Sequence, residues 1–191
     1  MKLLLVLFAL LLPVDEAKRD PSFLAYRELL LEAVQNRDEA ALVRLVDPKI
    51  RTSFGEGGGV ADLRKQVKEY DLWRELEWIV AHGGTWRNKT FCAPYVYSNW
   101  PDSHDAYRSL AVTGKGVALR STPRTGRVLA RLSYDIVTIA GAEKNGWRQV
   151  KTSSGKTGWM SRAYLRSPIG YRACFGKTAE GWRMQLLVAG D

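Results

Sequence analysis

The sequence predicts an α+β protein: N-terminal helices and a C-terminal β-hairpin form one unit, and a small five-stranded β-barrel is inserted between them. Three observations lead there. Apolar residues recur at helical spacing as far as about His82, then alternate with a period of two, and between Leu110 and Leu165 short alternating runs are separated by tight turn signals. Hydrophobic residues make up 46% of the chain and charged residues 26%, a balance that supports a packed core and argues against general disorder.

Leu24 to Val34 carries Leu29, Leu30, Ala33 and Val34 at helical spacing. Asp38 is placed to cap a second helix bearing Leu42, Leu45 and Val46, which Pro48 brings to an end. The glycine-rich SFGEGGG at 53–59 lacks the GK[ST] ending of a phosphate loop and follows no apolar strand, so it reads as a loop between helices. A third helix is expected from about Val60 to Tyr70. A fourth, LWRELEWIVAH, puts Leu72, Leu76, Ile79 and Val80 on one stripe and stops at Gly83-Gly84.

In TFCAPYVY the pattern changes. Phe91, Ala93, Tyr95 and Tyr97 share one strand face, Cys92 the other, and Pro94 implies an edge strand. Near the C-terminus Ile169, Tyr171, Ala173 and Phe175 alternate, KTAEG turns, and Trp182, Met184, Leu186 and Val188 alternate again. Cys174, like Cys92, lies opposite the aromatic residues of its strand. If these strands are neighbours the two thiols share a face and can pair; two buried free thiols are the alternative. Pairing would return the C-terminal hairpin to the N-terminal helices and make the barrel an insertion. The expected parts are 1–17 as a signal peptide, 18–109, the barrel at 110–166, and the hairpin at 167–191.

The start, MKLLLVLFALLLPV, has a minimal positive Lys2 and an apolar run, Leu3 to Val14, too short to span a bilayer. Ala17 is the candidate residue before cleavage, although Asp15 then stands where a small neutral side chain is preferred. The expected location is periplasmic or secreted, with no membrane-spanning segment in the mature chain. The formal net charge of +9 is unevenly placed: residues 110–166 hold eleven Lys and Arg against Asp135 and Glu143, while residues 1–109 hold 15 basic and 16 acidic side chains. Such a field favours anionic partners. A solubility charge spread round the barrel is the competing account. Export excludes nucleic acid as the expected partner.

The barrel segment reads LRSTP at 119–123, NGWRQV at 145–150 and GKTGWMSRAYL at 155–165. In this combination and order it resembles the bacterial SH3 (Src-homology-3) family, departing only at Met160, where Val is usual. The flanks FGEGGG, LWRELEWIVAHGG, FCAPYVY and YRACFGK resemble a group of small exported bacterial SH3 proteins. The resemblance implies binding of cell-wall peptides or positioning of a partner enzyme. Its candidate contacts are Arg120, Arg124, Arg127 and Arg131, which suit carboxylates or phosphates, and Tyr134, Trp147, Trp159 and Tyr164, which offer flat area. Trp147 and Trp159 stand at motif positions that usually hold the barrel together.

Catalytic readings find little support. His82 sits at a helix end and His104 in the loop WPDSHD between Asp102 and Asp105, where a turn is the better reading than a metal site. No sequence around Cys92 supports a thiol hydrolase. The expectation is therefore a non-catalytic envelope binding module, without cofactor or metal, that binds cell-wall (peptidoglycan) or another anionic envelope ligand. The alternative is a protein-binding regulator or inhibitor of an envelope enzyme.

Overall fold

The computed structural model describes residues 10–190. Lys2 and residues 3–9 of the apolar run read as an export signal lie outside them. The chain divides into two compact units. One holds Pro13–Asn99 and the chain from Ile169 onward; the other holds Trp100–Pro168 with the described residues before Pro13.

The first unit opens on helix α1 (Pro21–Gln35). The Asp20 carboxylate accepts the backbone N–H groups of Ser22 (2.9 Å) and Phe23 (3.1 Å), and Pro21 occupies the first turn, where no N–H is needed. The helix buries Phe23, Tyr26, Leu30, Ala33 and Val34. Leu29, expected on that stripe, lies to one side of it and is exposed. Asp38 caps α2 (Glu39–Leu45) as expected, accepting from Ala41 N–H at 2.9 Å.

Val46 corrects the sequence expectation: it begins strand β1 (Val46–Arg51) instead of extending the helix, and Pro48 falls inside that strand. The strand lies at a sheet edge, where a missing N–H is tolerated. Helix α3 (Gly59–Glu69) follows the glycine-rich loop. At Gly58 (φ +133°) a Cβ would stand 2.8 Å from the carbonyl oxygen of Ile50, so this glycine permits close passage over β1. Helix α4 (Trp73–Ala81) buries Leu76, Ile79 and Val80, with Leu72 buried just before it.

The hairpin of β2 (Thr85–Arg87) and β3 (Thr90–Ala93) turns at Asn88-Lys89. Here TFCAPYVY departs from the expected single strand. The Ala93–Pro94 bond is cis, and Tyr95–Ser98 form the short helix α5, so Tyr95 and Tyr97 do not continue the face of Phe91 and Ala93. Pro94 marks the end of β3, an interior strand, and not an edge.

The second unit is one antiparallel sheet of seven strands: β4 (Ser109–Val112), β5 (Val117–Arg120), β6 (Val128–Leu132), β7 (Ile136–Lys144), β8 (Trp147–Lys151), β9 (Thr157–Ser161) and β10 (Leu165–Arg166). Their order is β10-β4-β7-β8-β9-β5-β6. This corrects the expected five. The 3₁₀ turn Arg162–Tyr164 cuts the last expected strand in two, and the detached piece pairs with β4, which no turn signal announces. Asn145 (φ +50°) and Gly146 (φ +75°) both adopt left-handed backbone, as a two-residue hairpin turn requires. Leu110, Val112, Val117, Leu119, Val137, Val150, Met160 and Leu165 form its core. Leu11 is buried in this unit, and its N–H donates to Tyr134 O at 2.7 Å.

Strands β11 (Arg172–Thr178) and β12 (Gly181–Val188) return to the first unit and complete a sheet of order β1-β12-β11-β3-β2. The expected alternation from Ile169 starts only at Arg172. It also breaks in β12: Cys174 pairs with Leu186 but Phe175 with Met184, leaving Gln185 as a bulge. The extra residue shifts the inward face, so Leu187 and not Leu186 joins Trp182 and Met184 in the core. Phe23 sits at the centre, its ring 4.5 Å from that of Phe91, 5.1 Å from Trp182 and 5.6 Å from Phe175. Cys92 and Cys174 are bonded on the strand pair β3–β11. No described helix is long and apolar enough to cross a membrane.

Candidate functional site

The candidate site lies on the seven-stranded sheet. Alternation along β5 turns Val117 and Leu119 into the core and leaves Ala118 and Arg120 half-exposed. Arg131 on β6 is registered opposite Ala118, and Trp147 on β8 opposite Ser161 on β9. Tyr164 projects from the 3₁₀ turn and is half-exposed. Ala118, Arg120, Arg131, Trp147, Ser161 and Tyr164, with Lys115, line a groove of about 280 Å³.

Both arginines are positioned by backbone carbonyls. Arg120 donates through Nη1 to Gly126 O at 3.0 Å, and Arg131 through Nη1 to Gly116 O at 3.0 Å, steadying the loop that carries Lys115. The Gly116 N–H donates in turn to Ser133 Oγ at 2.8 Å. A guanidinium has five donors, so each arginine keeps several for a ligand. Among the described residues no carboxylate pairs with Lys115, Arg120 or Arg131. Glu143, the nearby acid, faces Arg162 (3.6 Å) and Arg148 (3.9 Å) instead. Two half-exposed aromatic rings beside three cations that have no carboxylate partner among the described residues form a surface suited to an anion with some apolar area.

Of the eight sequence candidates, the structure brings together Arg120, Arg131, Trp147 and Tyr164. Trp159 shares the sheet face, opposite Arg120 in register, but lies outside the groove lining. Arg124 (φ +62°) and Arg127 sit exposed in the β5–β6 turn. Tyr134 is in the turn before β7, its backbone bonded to Gly114 O and Leu11 N. Neither Trp147 nor Trp159 belongs to the buried core cluster. Sequence reasoning missed Lys115, whose only signal was its place between two glycines in a basic segment.

The glycine of the GW motif has a steric cause. A Cβ on Gly158 would lie 2.7 Å from Arg120 O and 2.9 Å from Leu119 Cγ, so only glycine lets β9 pass β5 this closely. Residues 115–166 match the profile of the family described as bacterial SH3 domain. These residues are a bacterial SH3 domain. The match spans about a quarter of the chain and contains the whole lining of the groove. No curated protein matches the chain. A solved structure of a five-substitution variant of Rd1NTF2_05 aligns over 90% of this chain and all of its own, at 12% identity and a TM-score of 0.33.

Outside the SH3 domain, the other candidates occupy ordinary positions. The His82 ring stacks on Trp78 at 4.1 Å and its Nδ1 lies 2.8 Å from Trp78 O. His104 lies in a loop, its carbonyl accepting from Trp100 Nε1 at 2.9 Å. No cluster of three metal-ligating side chains occurs among the described residues.

Proposed function

We propose that this protein is a non-catalytic, extracytoplasmic binding protein whose SH3 domain takes an anionic cell-wall ligand into the groove of Lys115, Arg120, Arg131, Trp147 and Tyr164. The observation that carries this is the set of three cations without carboxylate partners among the described residues, beside two open aromatic rings. Carboxylates of wall peptides match the arginine forks, and the rings cover the apolar parts of the same peptide. Membership of a family of binding modules and a disulfide, which persists in oxidising compartments, agree with an envelope location.

Cleavage after Ala17 would remove side chains that pack in the first unit. Ala17 is fully buried in the first unit's core. The Glu16 carboxylate accepts Trp86 N–H and its carbonyl accepts Trp86 Nε1–H, both at 2.9 Å, while Asp15 receives Arg27 at 2.8 Å. Removing these residues would leave the Trp86 donors without acceptors.

Cosedimentation of the protein with purified sacculi is the test. Retention at low salt that weakens at high salt is expected. No retention at low salt overturns the reading, and a crosslinked envelope protein recovered alongside would favour a regulator or inhibitor of an envelope enzyme.

A further inference from the structure

The first unit carries a second concave site, which shares no residue with the SH3 groove. The β2–β3 turn, the β11–β12 hairpin and the chain leading into α1 enclose a cavity of about 480 Å³, with Trp86 and Trp182 in its lining and Arg19, Lys89 and Lys177 around it. The two indole rings lie 5.6 Å apart and are inclined at 58°, a bent surface and not a parallel slot.

Both indole N–H groups are already committed. Trp86 Nε1 donates to Glu16 O and Trp182 Nε1 to Ser22 Oγ, each at 2.9 Å. The rings are thereby locked in place; Trp182 is a core residue with 6% of its surface exposed, so most of the apolar carbon offered to the cavity comes from the half-buried Trp86. Arg19 is paired with Glu16 at 2.7 Å, so the cations left to the cavity are Lys89 and Lys177. Lys177 Nζ stands 5.7 Å from the Trp182 ring and 3.4 Å from Ser22 Oγ. Lys89, at the tip of the β2–β3 turn, has no partner among the described residues. The acidic residue of the lining, Asp20, is engaged in capping α1.

We propose that this cavity binds an anionic sugar, its ring laid on Trp86 and its negative group directed to Lys89 and Lys177. A pyranose presents a puckered face of C–H groups, which the single open indole of Trp86 can desolvate; a flat heteroaromatic ring is better served by parallel walls, which two rings inclined at 58° do not make. A neutral sugar would leave the lysines unused, whereas a carboxylate or phosphate on the ring gains charge-assisted contacts.

Saturation-transfer NMR on the full chain tests this, with glucuronate and glucose 6-phosphate as anionic probes, glucose as the neutral control and adenosine monophosphate as the flat aromatic anion. Transfer to at least one anionic sugar is expected, with glucose and adenosine monophosphate weaker. Lys89→Ala/Lys177→Ala, with near-ultraviolet circular dichroism confirming an unchanged fold, should weaken that probe about tenfold. Arg131→Ala in the SH3 groove should leave it unchanged, so this site and the cell-wall reading fail separately. Transfer to neither anionic sugar, equal transfer to glucose, stronger transfer to adenosine monophosphate, or full affinity in the double variant would each overturn the assignment. Should the double variant misfold, Lys89→Glu alone, at the exposed turn, must weaken the same probe.

Discussion

Cys92 and Cys174 face each other in register on β3 and β11, between the pairs Phe91–Phe175 and Ala93–Ala173, and their sulfurs are bonded. The bond joins the two chain segments of the first unit that lie 82 residues apart in sequence. Closing so long a loop restricts the unfolded chain and stabilises the fold by about 4–5 kcal/mol on chain-entropy grounds. Protein secreted into an oxidising compartment should therefore lack two hydrogens in non-reducing mass spectrometry. Cys92→Ala/Cys174→Ala should lower the urea midpoint. Two titratable thiols in the secreted protein would contradict this.

Gly158→Ala should destabilise the SH3 domain by about 1–3 kcal/mol, the usual range for an overpacked site. The obstacle at 2.7 Å is the Arg120 carbonyl, a backbone atom in a paired strand, which cannot swing aside. Gly155→Ala is the comparison: its φ is +86° but nothing lies within 4 Å of a Cβ there, so only backbone strain of about 1 kcal/mol is expected. Urea unfolding of both variants should rank Gly158→Ala as the worse.

The pattern of apolar residues was legible where one period persisted. The stripe Leu72, Leu76, Ile79 and Val80 and the Asp38 cap needed only local chemistry. The misses come from events that local pattern does not encode. The Gln185 bulge exchanged Leu186 for Leu187 in the core, Tyr95 entered a short helix directly after Pro94, and Val46 joined a parallel strand through a partner far along the chain. The site divides in the same way. The sequence singled out Arg120, Arg131, Trp147 and Tyr164, but only the folded sheet showed that Lys115, in the bend before β5, belongs with them and that Arg124 and Arg127 do not.

Asp20→Ala should cost about 1 kcal/mol of stability near neutral pH, the typical loss of an N-cap. The hydrogen bond from the Ser22 hydroxyl, then those from the backbone of Phe23 and Ser22, hold the Asp20 carboxyl below its ordinary value of 3.8 against a desolvation effect. A depressed folded-state value means stability that is present above 3.8 and lost as pH falls through the folded value. The gap between wild type and variant should thus narrow on acidification through that range. Thermal unfolding across a pH series checks it, and a gap that widens in acid would contradict the assignment.

Lys115→Ala/Arg131→Ala should reduce retention on sacculi by about tenfold, since two charged contacts are removed from one groove. Arg124→Ala/Arg127→Ala removes the same charge from the same SH3 domain but from the β5–β6 turn, outside the groove. A diffuse field would weaken equally in both variants, because long-range attraction depends on net charge and not on which arginine is lost. Contact within the groove predicts a large loss in the first and a small one in the second. Tyr164→Ala, which changes no charge, should weaken retention while leaving its dependence on salt unaltered, because the ring contributes apolar area and no ion pair.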